Sequence, residues 1–172
     1  MIYFTSDWHL AHNKEFIYKK RGFNSIEDHD KAIFENLKML QPGDILYNLG
    51  DVCLPKTNRT YWLEKIKGLL FEKHLIIGNH DYNNLLSRMK AAKVFDSFNV
   101  ADYIKRSGHI YMMSHYPMMV DPSTNGSRMV SVHGHTHNNE KIDQYGKINV
   151  CLDAWDMKPV PLDEIIKLHI EF

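Results

Sequence analysis

Three histidines fall within the six residues Val132-His133-Gly134-His135-Thr136-His137. On an extended or turning backbone, rings two residues apart can face one site, and imidazole is a versatile transition-metal ligand. Alone, the run fits a polar strand end with solvated rings equally well. Earlier in the chain, however, Asp7-Trp8-His9, Gly50-Asp51, Gly78-Asn79-His80-Asp81 and Ser114-His115 each follow an apolar run. Together these groups offer more ligands than one tetrahedral ion can use. Oxygen and imidazole nitrogen are mixed, with no cysteine among them. That mixture favours two ions such as Mn, Fe, Zn, Co or Ni over a structural zinc site, and disfavours Ca and all-oxygen Mg sites. A shared carboxylate would hold two such ions about 3.5 to 4 Å apart, the spacing that clamps the attacking and leaving oxygens of a phosphoryl displacement.

The elements that must position these groups follow from the patterning. Ile2 to Ser6, Asp44 to Leu49 and Lys73 to Ile77 are short apolar runs that read as buried strands, ending at Asp7, Gly50-Asp51 and Gly78-Asn79. Helices are expected between and after them. Ser25 to Leu40 has apolar residues at Ile26, Ala32, Ile33, Leu37 and Leu40, a near-capping pattern from Ser25 to Asp28, and closes at Pro42-Gly43. Thr57 to Leu69 and Leu85 to Ala92 follow the same periodicity. Alternating strands and helices imply right-handed crossovers and a largely parallel sheet, whose strand carboxyl ends face one crevice. Asp7, Asp51 and Asn79 should meet there.

From Val94 onward the expected elements are short strands: Ser97 to Tyr103, His109 to Ser114, Met129 to His133 and Lys147 to Leu152, in a mostly antiparallel second sheet. Ile165 to Phe172 alternates partly and is expected to close a sheet edge as a strand. Pro122 to Ser127 reads as a flexible loop at the crevice rim. No repeat or linker divides the chain, so one domain over residues 1–172 is expected.

Lys plus Arg and Asp plus Glu balance at 21 each, so no global field attracts nucleic acid or an anionic membrane. The two cysteines, Cys53 and Cys151, are expected as buried thiols in a reducing compartment rather than as a disulfide. The opening residues lack a secretion-signal pattern and no apolar run approaches a membrane span, so the expectation is a cytoplasmic protein.

The five ligand groups, in this order, resemble the motif series of the calcineurin-like metallophosphoesterase superfamily. Ser6-Asp7-Trp8-His9-Leu10-Ala11-His12-Asn13 and Asp153-Ala154-Trp155-Asp156-Met157-Lys158-Pro159 are also similar to the small, single-domain bacterial and phage members. The resemblance implies an α/β fold of two packed mixed sheets flanked by helices, a four-layer α-β-β-α sandwich. It implies a first ion on Asp7, His9 and His137, a second on Asn79, His115 and His135, and Asp51 bridging them, with manganese as the leading candidate metal. It further implies hydrolysis of a phosphomonoester or phosphodiester by in-line attack of a metal-bridging hydroxide, with His80 protonating or stabilising the leaving oxygen. A small phosphate ester is the expected substrate. A nuclease acting on nucleic acid ends is the alternative enzyme, and a metal-binding interaction module without catalysis is the alternative of another class.

One departure matters. Many members carry an acidic residue three after the bridging aspartate, where this chain has Leu54. Asp81 is then the candidate to orient His80. His12 and Arg21 are candidates for contact with substrate phosphate, Arg21 through its bidentate fork. His133 shares the parity of His135 and His137, but the family motif begins at Gly134, which leaves His133 as a residue supporting the ligands. His29, His74, His109 and His169 are expected to be structural or exposed, Cys53 and the methionines to be core, and Trp155 to bury its ring or stack on a base at the rim.

Overall fold

The computed structural model describes residues 1–53, 59–82, 84–120 and 128–172. Leu54, the start of the helix expected from Thr57, and the loop Pro122 to Ser127 lie outside the described residues.

The first half builds as its periodicity requires. Strand β1 (Ile2–Thr5), helix α1 (Glu15–Tyr18), helix α2 (Ile26–Leu37), strand β2 (Ile45–Asn48), helix α3 (Arg59–Lys67), strand β3 (Glu72–Ile76) and helix α4 (Asn84–Ala91) follow in order. Only the short α1 was not anticipated. Ser25 caps α2 by accepting the Asp28 N–H, satisfying one of the donors that a helix start leaves open. Strand β4 (Ser97–Asn99) completes four parallel strands, and β9 (Val160–Pro161) adds an antiparallel edge beside β1, giving the order β4-β3-β2-β1-β9.

The second sheet contains β5 (Ala101–Arg106), β6 (His109–Ser114), β7 (Met129–His133) and β8 (Ile148–Asn149), in that order. Three expectations are corrected here. The single strand expected over Ser97 to Tyr103 is two strands in different sheets, divided at the exposed Val100. The second sheet is not mostly antiparallel: among its described strands β5 and β6 pair that way, while β6 with β7 and β7 with β8 are parallel. The C-terminal segment is helix α5 (Leu162–Glu171), not an edge strand. Its start carries Pro161 at the cap and Asp163 and Glu164 in the first turn, where they suit the helix dipole. The helix buries Leu162 and Ile165, and leaves Ile170 and Phe172 in solvent.

Strand parity divides the core in two. Tyr3, Leu46 and Leu75 pack against Ile33, Leu37, Leu63, Ile66, Leu85 and Met89 of the helices. Phe4, Leu49 and Ile76 face Tyr111, Met113, Val130 and Val132 of the second sheet, with Ile165 of α5 joining them. Two sheets thus pack face to face with helices flanking them, and β1, β2, β3, β6 and β7 all end at one rim. Both cysteines are buried free thiols. No helix among the described residues is long and apolar enough to cross a membrane.

Candidate metal centre

At that rim the chain leaves its strands without leaving its pairing partners. Past β1 and β2, the Asp7 N–H donates to the Gly50 carbonyl at 2.9 Å and the His9 N–H to the Asp51 carbonyl at 3.0 Å. Asp7, His9, Asp51, His135 and His137 all adopt positive φ, between 48° and 67°. L-residues pay for that conformation, and such residues concentrate where a site over-determines the backbone.

The turned backbones aim their side chains inward. His9 Nε2 and His137 Nε2 approach to 3.0 Å, and Asp7 Oδ1 lies 3.3 Å from His137 Nε2 and 3.8 Å from His9 Nε2. Asp51 Oδ2 is 3.8 Å from His9 Nε2 on one side and 3.5 Å from His115 Nε2 on the other. His115 Nε2 in turn meets Asn79 Oδ1 at 2.8 Å, and the His135 ring lies 5.0 Å from the His115 ring. The seven residues expected as ligands are therefore brought together around the Asp51 carboxylate. His80 stands at its outer side, with Nε2 4.0 Å from Asp51 Oδ2 and the side chain 46% exposed. His12 joins this side, its ring 5.5 Å from that of His9 and 6.4 Å from that of His80.

The donors fit cations. Asp7 Oδ1 is buried without a hydrogen-bond partner. Asp7 Oδ2, by contrast, accepts from the Ser6 hydroxyl at 2.5 Å and the His135 N–H at 2.9 Å, which fixes the carboxylate with its other oxygen inward. Burial pushes the Asp51 carboxyl above its usual range; His115 and the His80 N–H pull it down, and the neighbouring Asp7 charge adds to the rise. Two adjacent buried carboxylates call for positive charge between them. Burial lowers His9, with His137 and Arg21 adding to the effect, and burial followed by His115 lowers His135. Both rings are thereby kept neutral, the form that binds metal. His115 Nδ1 donates to the Leu49 carbonyl at 2.7 Å, leaving Nε2 as the lone-pair nitrogen.

Glycines make the convergence possible. A Cβ on Gly78 would strike the Asp51 carboxylate and lie 2.6 Å from the Asp51 nitrogen and 3.0 Å from His115 Nδ1. Gly78→Ala should therefore cost about 1 to 3 kcal/mol in urea denaturation and lower metal stoichiometry, because the neighbours that must move are candidate ligands. Unchanged stability and metal content would show that the loop yields freely. At Gly134 a Cβ would collide with Ser6 and Asp7.

The model of the family described as calcineurin-like phosphoesterase matches residues 1–168. The chain belongs to this calcineurin-like phosphoesterase family. It is similar to the protein MJ1445 of Methanocaldococcus jannaschii, 32% identical over 97% of this chain and 90% of that one. It also resembles the gene 66 protein of Mycobacterium phage D29, 28% identical over 95% of this chain and 93% of its relative. Among solved structures, the Aquifex aeolicus protein AQ665 superposes with a TM-score of 0.76 at 28% identity, covering 98% of both chains.

Within this calcineurin-like centre two expected roles change. Asp81 does not turn outward to His80. Its carboxylate is buried and accepts the N–H groups of Gly78 at 2.8 Å, Asp51 at 2.9 Å and Val52 at 3.1 Å, so it clasps the ends of β2 and β3. Arg21 does not lie in solvent, and its fork is taken up by the protein: its side chain is 2% exposed. The guanidinium forks onto Asp153 at 2.7 and 3.2 Å, donates to the Asp7 carbonyl at 2.8 Å and meets His29 Nε2 at 2.9 Å. His29 is itself fully buried and passes its Nδ1 to Asp30 at 2.8 Å.

Asp153 is the functional residue that sequence reasoning missed. Its Oδ2 lies 3.1 Å from His137 Nδ1 and receives the Cys151 thiol at 2.9 Å. A carboxylate on Nδ1 holds the His137 tautomer whose Nε2 faces the site. The only signal was its place at the head of the Asp153-Ala154-Trp155-Asp156 stretch. Cys151 also lies near Asp7 and His137. Burial, with Asp7 and Asp153 nearby, raises its pKa well above the usual thiol value, so it remains a protonated donor rather than a thiolate ligand. His133 is buried with Nδ1 on the Gly134 carbonyl at 2.8 Å, and Trp155 donates to the Asn149 carbonyl at 2.7 Å.

Proposed function

We propose that the chain is a dinuclear metal-dependent phosphoesterase acting on a small phosphate ester. Asp7, His9 and His137 would hold one divalent ion, Asn79, His115 and His135 the other, and Asp51 would be shared, with manganese the leading metal. The observation that carries this reading is the position of Asp51 Oδ2, between His9 Nε2 at 3.8 Å and His115 Nε2 at 3.5 Å. Bound there, the ions would neutralise phosphoryl charge and acidify a water for in-line displacement. The protein's own part is positioning and proton transfer. The His80 N–H holds Asp51 Oδ1 at 2.9 Å, and its half-exposed ring stands at the outer side of the buried ligand set, where it would give a proton to the departing oxygen. Every ligand group is intact, which favours an enzyme over a binding module, and the balanced charge gives no support to long nucleic acid.

Metal analysis combined with hydrolysis of bis-p-nitrophenyl phosphate and p-nitrophenyl phosphate tests the reading. His80→Ala should keep both ions and lose about 10² to 10⁴ in turnover. No hydrolysis by the wild type with Mn, Ni or Zn would defeat the enzymatic claim, and fewer than two ions per chain would defeat the dinuclear one.

A further inference from the structure

Two large rings stand in solvent beside the centre, one on each side of Asp51. Phe16 of α1 is 67% exposed, and its ring meets the His12 ring edge-on at 5.8 Å. Tyr116 directly follows His115 and is 52% exposed; its ring meets His135 at 4.5 Å and His115 at 5.2 Å. Neither ring is loosely attached. The Tyr116 carbonyl accepts the Ser114 hydroxyl at 2.6 Å, and α1 is anchored by the buried Ile17 and Tyr18.

Single exposed aromatics are ordinary on protein surfaces. These two differ in meeting histidines at the centre: Phe16 meets His12, which lies against His9, and Tyr116 meets His115 and His135. Among the described residues, two cations near the centre are engaged by the protein itself: Arg21 is buried on Asp153, and the Lys20 ammonium donates to the His137 carbonyl at 2.5 Å. The two exposed rings offer planar apolar surface for recognition beyond the phosphoryl group. An aromatic on each flank suits a substrate with an organic group on each side of phosphorus, which is a diester. Planar groups stack on such rings without regard to base identity.

Resting on the phosphoesterase reading above, we infer that the substrate is a nucleotidyl phosphodiester, with the retained nucleoside's base on Tyr116 and the leaving group passing Phe16. The leaving side is assigned by His80, whose ring contacts His9 at 5.5 Å.

Hydrolysis by the manganese-loaded protein of thymidine 5′-(p-nitrophenyl) phosphate and methyl p-nitrophenyl phosphate tests this, because the two share a leaving group and differ on the retained side. The wild type should prefer the thymidine ester by about tenfold or more in kcat/KM. Tyr116→Ala should collapse that ratio toward unity, and Tyr116→Trp should restore it. Calorimetry gives a readout without turnover: AMP should bind the loaded wild type about tenfold more tightly than inorganic phosphate, an advantage lost in Tyr116→Ala. Equal rates on the two esters with both metals bound, or a preference that survives Tyr116→Ala, would overturn this inference alone. Failure to cleave either ester would overturn it together with the phosphoesterase reading.

Discussion

Asp51→Asn is expected to lower turnover by about 10³-fold or more and to reduce bound metal below two ions per chain. Losing an ion forfeits several kcal/mol of transition-state charge stabilisation, and each 1.36 kcal/mol or so is a factor of ten in rate. The position is singular because one oxygen, Oδ2, faces both His9 Nε2 and His115 Nε2, while Oδ1 is held at 2.9 Å by the His80 N–H. An amide that keeps the His80 hydrogen bond through its oxygen must turn its NH₂ toward the ions. Charge is lost and a donor is placed where an acceptor is needed. The metal-free variant should be no less stable than the metal-free wild type, since a desolvated carboxylate next to Asp7 has been removed. Thermal denaturation with chelator checks that point and separates a lost ion from a lost fold. Activity within tenfold of wild type would refute the shared-ligand role.

The second large effect lies beneath the centre. Arg21→Met is expected to cost about 3 to 5 kcal/mol in urea denaturation, because it strands a buried Asp153 carboxylate. Asp153→Leu should do the same from the other side and also weaken metal binding by about 10 to 100-fold, since His137 loses the acceptor that fixes its ring. The double variant Arg21→Met/Asp153→Leu separates the two consequences. An apolar pair of similar volume should recover much of the stability, but not the metal affinity. Recovery of both would show that Asp153 serves packing only. The pH dependence has a definite sign. Burial alone would raise the Asp153 pKa, but hydrogen bonds from His137 and Arg21, with the guanidinium charge, outweigh it and hold the carboxyl far below the usual range. A depressed folded pKa contributes stability above the unfolded value of about 3.9. The Arg21 pair should therefore stabilise the wild type throughout neutral and mildly acidic solution, and fade only as pH falls below that value. Comparing wild type with the double variant between neutral pH and strong acid measures this.

What could be read along the chain was whatever is decided over a few residues. The apolar runs before Asp7, Gly50 and Gly78 specify buried strands, and the capping contact from Ser25 to Asp28 is a local bond. The centre was legible for the same reason: each ligand group is compact and sits at a strand end, and a parallel sheet delivers strand ends to one rim. The C-terminal segment was misread because Ile166, Leu168, Ile170 and Phe172 alternate with polar residues, a pattern of period two. Its helix is set instead by Pro161, Asp163 and Glu164 at the start and by burial of Leu162 and Ile165. Likewise, the pairing direction of β6, β7 and β8 depends on how long connections cross, which no local pattern encodes.

The amino-acid sequence by itself determined the candidate ligand types, their order and their places at strand ends, and therefore the family. Only the tertiary structure decided which charges work inside the protein. Arg21 follows two lysines and looks like a surface cation, yet it is buried because Asp153, 132 residues away, supplies the opposite charge and the fork it fits. Asp81 looks like a catalytic neighbour of His80, yet its carboxylate is turned to the main chain of Gly78, Asp51 and Val52. The left-handed backbone at Asp7, His9 and Asp51 likewise goes with hydrogen bonds between distant strand ends. Burial and partnership between remote residues are properties of the packed chain, and they fix what a charged side chain can do.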